Sequence, residues 1–423
     1  MKINFDNHKW LQSQKPQTKF GYDFFGRPIF KNKTELNFHD IEGIWIAIKK
    51  EKKNIEIISD VCGSHRVYYE VVNNVLFLYD NLDNTNCKEI NENGQSYFNE
   101  NGYFFGSDTI YKSVYRLPGL VKTVIKEDEI TETDLFFSID DNNIDFKSDL
   151  ILFLKESLKE RVNNNVILMF SGGFDSISIA KCLIELDINF KAVFFDDSRR
   201  DAEKLKALKS AKKLNLNFEI IELEIGDELD YLIDNFQKFD KHYSKLHYYA
   251  ARKISDLFGP DSYVINGQGS DSILSLGPSE LSLQSFLKRA AIYSPWFLRF
   301  FINLLLSLIY RKLLYIRNDS NKFYQSFSSF KRYLLVNYDN KCSSYLNLIS
   351  SKDFIYSSKI RKLLSIKRFG FIMGSDNQVV INSLNAFNIN RIILPFSSVF
   401  MFKHSIYSIS RFKEIFSPKK IIK

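Results

Sequence analysis

Val166-Ile-Leu-Met-Phe-Ser-Gly-Gly-Phe-Asp-Ser176 is the stretch from which the fold of this chain can be worked out. Val166 to Phe170 is an unbroken apolar run, the pattern of a strand buried on both faces of a parallel sheet. It breaks at Ser171-Gly172-Gly173 and resumes at helical spacing through Ile177, Ile179, Ala180, Leu183 and Ile184. A strand, a tight glycine turn and a helix start make an anion site, because main-chain N–H groups and the helix dipole face outward together. Two glycines let the backbone approach a phosphate with no Cβ in the way. Asp175 stands inside this loop, where its carboxylate repels phosphate unless a hard cation such as Mg²⁺ bridges the two. No lysine closes the loop, so it is not the GxxxxGK[ST] type.

Downstream, Phe190–Phe195, Phe218–Leu223 and Ser262–Ile265 read as further strands. Helical patterns over Asp201–Leu214, Leu229–Lys238 and His247–Leu257 separate them, and Ser148 to about Asn163 reads as a helix with Ser148 as N-cap. Strands alternating with such helices imply βαβ units and a doubly wound parallel sheet, whose ligands lie beyond the carboxyl ends of the strands. The fourth strand runs into a second glycine-rich loop, Asn266-Gly267-Gln268-Gly269-Ser270-Asp271-Ser272. Both loops fall at strand ends and are expected to face one nucleotide.

These motifs carry a resemblance. Ser171-Gly172-Gly173-Phe174-Asp175-Ser176 resembles the S-G-G-x-D-S pyrophosphate loop of the N-type ATP pyrophosphatases. Gly267-Gln268-Gly269-Ser270-Asp271-Ser272 resembles the G-E-G-S-D-E loop of asparagine synthetase, beta-lactam synthetase and lasso-peptide cyclases. Gln268 and Ser272 each replace a glutamate of that loop. Leu394-Pro395-Phe396 resembles the family's R-x-P-F-L-D segment, with Ser397-Ser398 in place of its last two residues. Pro418 to Lys423 is similar to the K-x-x-L-R that follows.

From Met1 to about Asp140 the chain alternates short strand-like runs with turns, clearest at Ile44–Ile48, Ile55–Ile58, Val67–Val71 and Val75–Tyr79. Asn73-Asn74 reads as a hairpin turn. Gly43-Ile44-Trp45, Ser59–Tyr69, Gly102–Phe105 and Thr109–Gly119 resemble segments of class II glutamine amidotransferase domains. That family's nucleophile is a cysteine exposed by removal of the initiator Met. Position 2 here is Lys2, and the first cysteine is Cys62. A glutaminase scaffold without glutaminase activity is the expectation.

Composition sets the remaining bounds. A length of 423 residues suggests two or three domains. The net charge of +8 is scattered, with no basic stripe interleaved with aromatics, so no nucleic-acid partner is expected. Cys62, Cys87, Cys182 and Cys342 show neither CxxC nor Cys/His spacing, which argues against a disulfide framework and a zinc site. No signal peptide is visible at the start, and a reducing cytoplasm is the expected compartment. Beyond Gly277 the chain reads as helical and apolar. Trp296–Tyr315 contains an uncharged run of only 11 residues, Phe300–Tyr310, too short to span a bilayer. It reads as a buried or partner-facing helix, with a membrane-surface helix as the alternative.

The expected fold is therefore α/β: an antiparallel β-rich, Ntn-like amidotransferase domain over residues 1–140, then a doubly wound ATP pyrophosphatase domain over 148–423 with a helical C-terminal part. The resemblance implies ATP and Mg²⁺ as cofactors. It implies ATP and pyrophosphate binding by Ser171, Gly172, Gly173, Asp175, Ser176, Gly267, Gly269 and Ser270, with metal binding by Asp175 and Asp271. The expected reaction converts a small-molecule or peptide carboxylate to an acyl-adenylate, which an amine or ammonia then attacks. Asp175 and Asp271 are the expected catalytic residues. Lys420, flanked by Lys419 and Lys423, is the candidate for the family's catalytic lysine, against a solvated basic tail. Two alternatives stay open: a lactam- or macrolactam-forming cyclase, and a non-catalytic homologue that binds nucleotide or a partner.

Overall fold

The computed structural model describes residues 1–30, 34–95, 107–119, 121–126, 129–134, 146–159, 165–224, 244–270, 286, 377–399 and 401. These residues form a mixed α/β fold with one parallel and two largely antiparallel sheets. The Leu229–Lys238 helix, the Trp296–Tyr315 segment, Gly102–Phe105, Asp271 and the three lysines at 419, 420 and 423 lie outside the described residues.

Among the described residues up to 134 the strands are β1 (Lys2–Asn7), β2 (Gln17–Lys19), β3 (Tyr22–Phe30), β4 (Ile41–Lys50), β5 (Ile55–Ser59), β6 (Tyr68–Val72), β7 (Val75–Tyr79), β8 (Tyr115–Arg116), β9 (Val121–Ile125) and β10 (Ile130–Asp134). A short helix, α1 (Lys9–Ser13), follows β1. One sheet runs β1-β7-β6-β8 and the other β10-β9-β5-β4-β3-β2. Alternation along the strands explains the packing. Ile46, Ile48, Ile55 and Ile57 meet Tyr69, Leu76 and Leu78 of the smaller sheet, while Trp45, Ala47 and Ile58 point the other way onto Tyr22 and Phe24. The β6–β7 turn carries Asn73 and Asn74 at φ 50° and 61°, the left-handed pair that a two-residue hairpin demands. One pairing departs from the antiparallel expectation, since β1 lies parallel to β7.

The second sheet system is wholly parallel. Its strands are β11 (Val166–Met169), β12 (Phe190–Asp196), β13 (Phe218–Glu222), β14 (Tyr263–Ile265) and β15 (Ile392–Ile393), in the order β13-β12-β11-β14-β15. Helices cover both faces. On one lie α2 (Phe146–Lys159), α3 (Phe174–Glu185) and α4 (Asp201–Lys213), which contribute Phe153, Leu154, Ile179, Leu183, Ala207 and Ala211 to a core with Leu168 and Phe194. On the other lie α5 (Lys245–Phe258) and α6 (Asn377–Asn385), whose Tyr249, Ile254, Ile381 and Leu384 pack on Ile167, Val193 and Val264. Ser148 lies inside α2 rather than capping it, so the N-cap expectation is corrected. The apolar Phe146 already starts the helix two residues earlier.

Chain order places β12 and β13 on one side of β11, and β14 on the other. The gap between β11 and β14 is thus the point where winding reverses, and where open parallel sheets bind ligands. Val61 and Cys62 of the β5–β6 loop and Val121 of β9 join the core on the α2–α4 face.

Candidate active site

Strand β11 delivers Ser171-Gly172-Gly173 to its carboxyl end, and α3 begins at once. Gly172 has φ +67°, and a Cβ there would lie 2.6 Å from the Ala207 Cα. Only glycine lets this loop rest on the α4 backbone. Gly173 is the N-cap of α3 and, having no side chain, offers the first-turn N–H groups no side-chain cap. Ser176, buried in the first turn, donates to the Gly173 carbonyl at 3.2 Å, and its Oγ lies 3.4 Å from Ser171 Oγ. The two hydroxyls brace the turn from within.

The second loop follows β14. Asn266 folds it, accepting from Gln268 N at 2.8 Å and donating to Met169 Sδ at 3.2 Å. Gly267 then comes against α3, where an added Cβ would be 3.2 Å from Asp175 Cβ. Gly269, at φ +88°, turns the loop over Ser397, whose Oγ would be 2.9 Å from an added Cβ. The two glycine loops read from sequence are therefore one surface.

They line a cavity of about 250 Å³. Ser171, Asp175, Ser176, Gly267, Gly269 and Ser270 all border it, as does Gln268. Gly172 and Gly173 do not, and they shape the turn from behind. The rest of the lining includes Met169 of β11 and residues that the motifs do not mark: Val193, Phe194, Phe195, Leu246, Arg200 and His247. Arg200 is anchored rather than free, with Nη2 donating to the Phe195 carbonyl at 2.6 Å and Nε to Asp197 at 3.3 Å. Burial pushes the Asp197 carboxyl up, but hydrogen bonds from Arg199 and the charge of Arg200 outweigh it and leave it below its ordinary value. A hydrogen bond from Lys204 holds Asp196 down as well. His247, in the first turn of α5, is pushed down to about 4 by burial and by the nearby Arg200 charge. At neutral pH it faces the cavity as a neutral imidazole.

Asp175 is the one carboxylate among the described residues that line the cavity. No group of three His, Cys, Asp or Glu gathers anywhere among the described residues. That donor set suits Mg²⁺, which binds through one or two carboxylates plus substrate phosphate oxygens and does not need an all-protein cage.

Lys2 and Cys62, the positions behind the expectation of no glutaminase activity, both lie among the described residues. Lys2 starts β1, its N–H bonded to the Asn74 carbonyl at 3.3 Å. Cys62 is fully buried, and burial together with the Asp60 charge raises its thiol well above the ordinary value. Reactive thiolates need the opposite environment. Among the described residues Cys62, Cys87 and Cys182 are free thiols, and no helix is long and apolar enough to cross a membrane.

No protein-family model matches the chain, and no curated protein matches it. Solved structures with local likeness include NMN synthetase from Francisella tularensis, at 17% identity over 30% of this chain and 56% of that one, with a TM-score of 0.23. An NH3-dependent NAD synthetase from Campylobacter jejuni gives 20% identity over 47% and 99%, at a TM-score of 0.22. A glutamine-dependent NAD+ synthetase from Acinetobacter baumannii gives 15% identity over 40% and 37%, at 0.23. The chain thus spans a little over half of the first of these. TM-scores this low carry no argument about chemistry, which rests on the residues above.

Proposed function

We propose that the cavity binds Mg·ATP and activates a carboxylate as its acyl-adenylate, for capture by an amine or ammonia, in the manner of asparagine synthetases. The observation that carries this reading is the meeting of two glycine loops from adjacent parallel strands, with Asp175 against Gly267. A carboxylate is inert to amines because its leaving group is oxide, and AMP is a far better one. Ser171 and Ser176, which border the cavity at the start of α3, suit the departing pyrophosphate. Asp175, with Asp271 as its expected partner, would hold Mg²⁺, which neutralises charge on the leaving phosphates. The apolar wall of Met169, Val193 and Phe195 suits the flat face of a base. In this reading residues 1–140 are an amidotransferase-like domain without glutaminase activity, and residues 148–423 are the synthetase domain.

The test is carboxylate-dependent exchange of labelled pyrophosphate into ATP, with a panel of carboxylates. Wild type is expected to exchange with at least one, and Asp175→Asn with none. Exchange at the wild-type rate in Asp175→Asn would refute the metal role. A wild-type chain that binds ATP but exchanges with no carboxylate would favour the nucleotide-binding alternative.

A further inference from the structure

The antiparallel sheets reach the cavity without lining it. The loop between β5 and β6 is held by Asp60, whose buried carboxylate accepts from Cys62 N at 3.0 Å, Ser64 Oγ at 2.7 Å and Trp45 N at 3.4 Å. So many bonds to one group give the loop a single shape. From it three side-chain contacts cross to the parallel-sheet side, one of them between His65 Nδ1 and Asn385 Nδ2 at 3.4 Å. Gln378 Nε2 donates to the Gly63 carbonyl at 3.1 Å, and the Cys62 thiol lies 3.8 Å from the Ser397 carbonyl. Beside Gln378, the fully buried Asn377 accepts from Ser397 Oγ at 3.0 Å. That same Ser397 Oγ is the atom against which Gly269 rests.

We infer that Asn377 and Ser397 are a positioning pair, through which the Asp60–Ser64 loop sets the shape of the Gly267–Ser270 loop in the nucleotide cavity. None of Cys62, Gly63, Asn377, Gln378 or Ser397 borders the cavity among the residues that line it, so the pair acts through Gly269 and not on the ligand. Packing alone would be served by apolar residues. Instead the buried Ser397 hydroxyl donates to Asn377 Oδ1, a directional contact, while the buried Asn377 Nδ2 has no hydrogen-bond partner among the described residues. In this way the antiparallel sheets, which supply no lining residue, fix one wall of the nucleotide cavity.

The inference rests on the proposed nucleotide reading only for its affinity readout. Hydrogen exchange of the peptide covering 264–270 in the full-length chain needs no ligand. Gln378→Ala and Ser397→Ala are expected to speed exchange in that peptide by roughly 2–10-fold, the worth of one net hydrogen bond. They should weaken Mg·ATP binding by a similar factor. Tyr79→Phe, which removes a buried hydroxyl bonded to Glu70 on β6, is the control: it should lower the melting temperature and leave loop exchange and affinity unchanged. Unaltered exchange over 264–270 in both test variants, with melting temperatures lowered as in the control, would overturn the inference. If wild type binds no ATP, the nucleotide reading fails while the exchange result still decides this one.

Discussion

A Cβ added at Gly267 would stand 3.2 Å from the Asp175 Cβ, tighter than ordinary packing contact. The side chain that reads as a metal ligand thus leaves no room for a β-carbon on the glycine of the neighbouring strand's loop. Gly267→Ala should push Asp175 aside by a few tenths of an ångström. Misplacement of reacting groups is costly, so turnover is expected to fall about 10–10²-fold. Gly267 has no left-handed φ, and the melting temperature should barely move. Steady-state kinetics beside a thermal scan checks both halves.

Gly172→Ala should behave differently. Its φ of +67° is strained for alanine, and the atoms in its way are the Ala207 Cα and N. Strain of this kind costs about 1–3 kcal/mol, so urea unfolding should show a loss of at least that size. Adding Ala207→Gly should not rescue it, because the obstruction is main chain and not the Ala207 methyl.

Two buried groups give opposite pH dependences. Burial raises Asp60 to about 6 against the bonds it accepts from Ser64 and Cys62, from an ordinary 3.8. Between about 4 and 6 the folded chain keeps a proton that the unfolded chain releases, so this contribution makes stability fall as pH rises. His247 titrates near 4 when folded and 6.5 when unfolded. There the unfolded chain binds the extra proton, and stability rises with pH. Relative to wild type, Asp60→Asn should therefore gain ground from pH 4 to 6, and His247→Gln should lose it from pH 4 to 6.5. Denaturant titrations at half-unit intervals would show the two difference curves sloping in opposite senses.

Glutamine should not be a substrate for hydrolysis. Cys62 has no exposed surface and its thiol is held in the protonated form. The expected result is no glutamate release above background, identical in wild type and Cys62→Ala. Release that disappears in Cys62→Ala would overturn it.

Much of the cavity was legible in the chain itself, for local reasons. An unbroken apolar run such as Val166–Phe170 survives only between two covered faces, and it broke where the strand ends. Asn73-Asn74 carried its own turn geometry. What could not be read is what long-range packing assembles. His247 and Arg200 look like ordinary helix-start residues until β12 and α5 bring them to one wall. Strand β15 has only two residues, Ile392 and Ile393, and exists because β14 offers an open edge. The joining of Cys62 to Ser397 spans 335 positions and has no signature in either segment.

That separation has a consequence for synthesis. Chains grow at about 5–20 residues per second, so roughly 20–70 s pass between the emergence of Cys62 and that of Ser397. The first sheets can pair as soon as β10 is made, but Val61, Cys62 and Val121 belong to a core that is complete only when its last members, Phe396, Val399 and Met401, arrive. For that interval the nascent protein presents a sticky face beside finished sheets, a state that chaperones recognise. Slow translation late in the message would lengthen the wait, and the yield of soluble protein should drop with it.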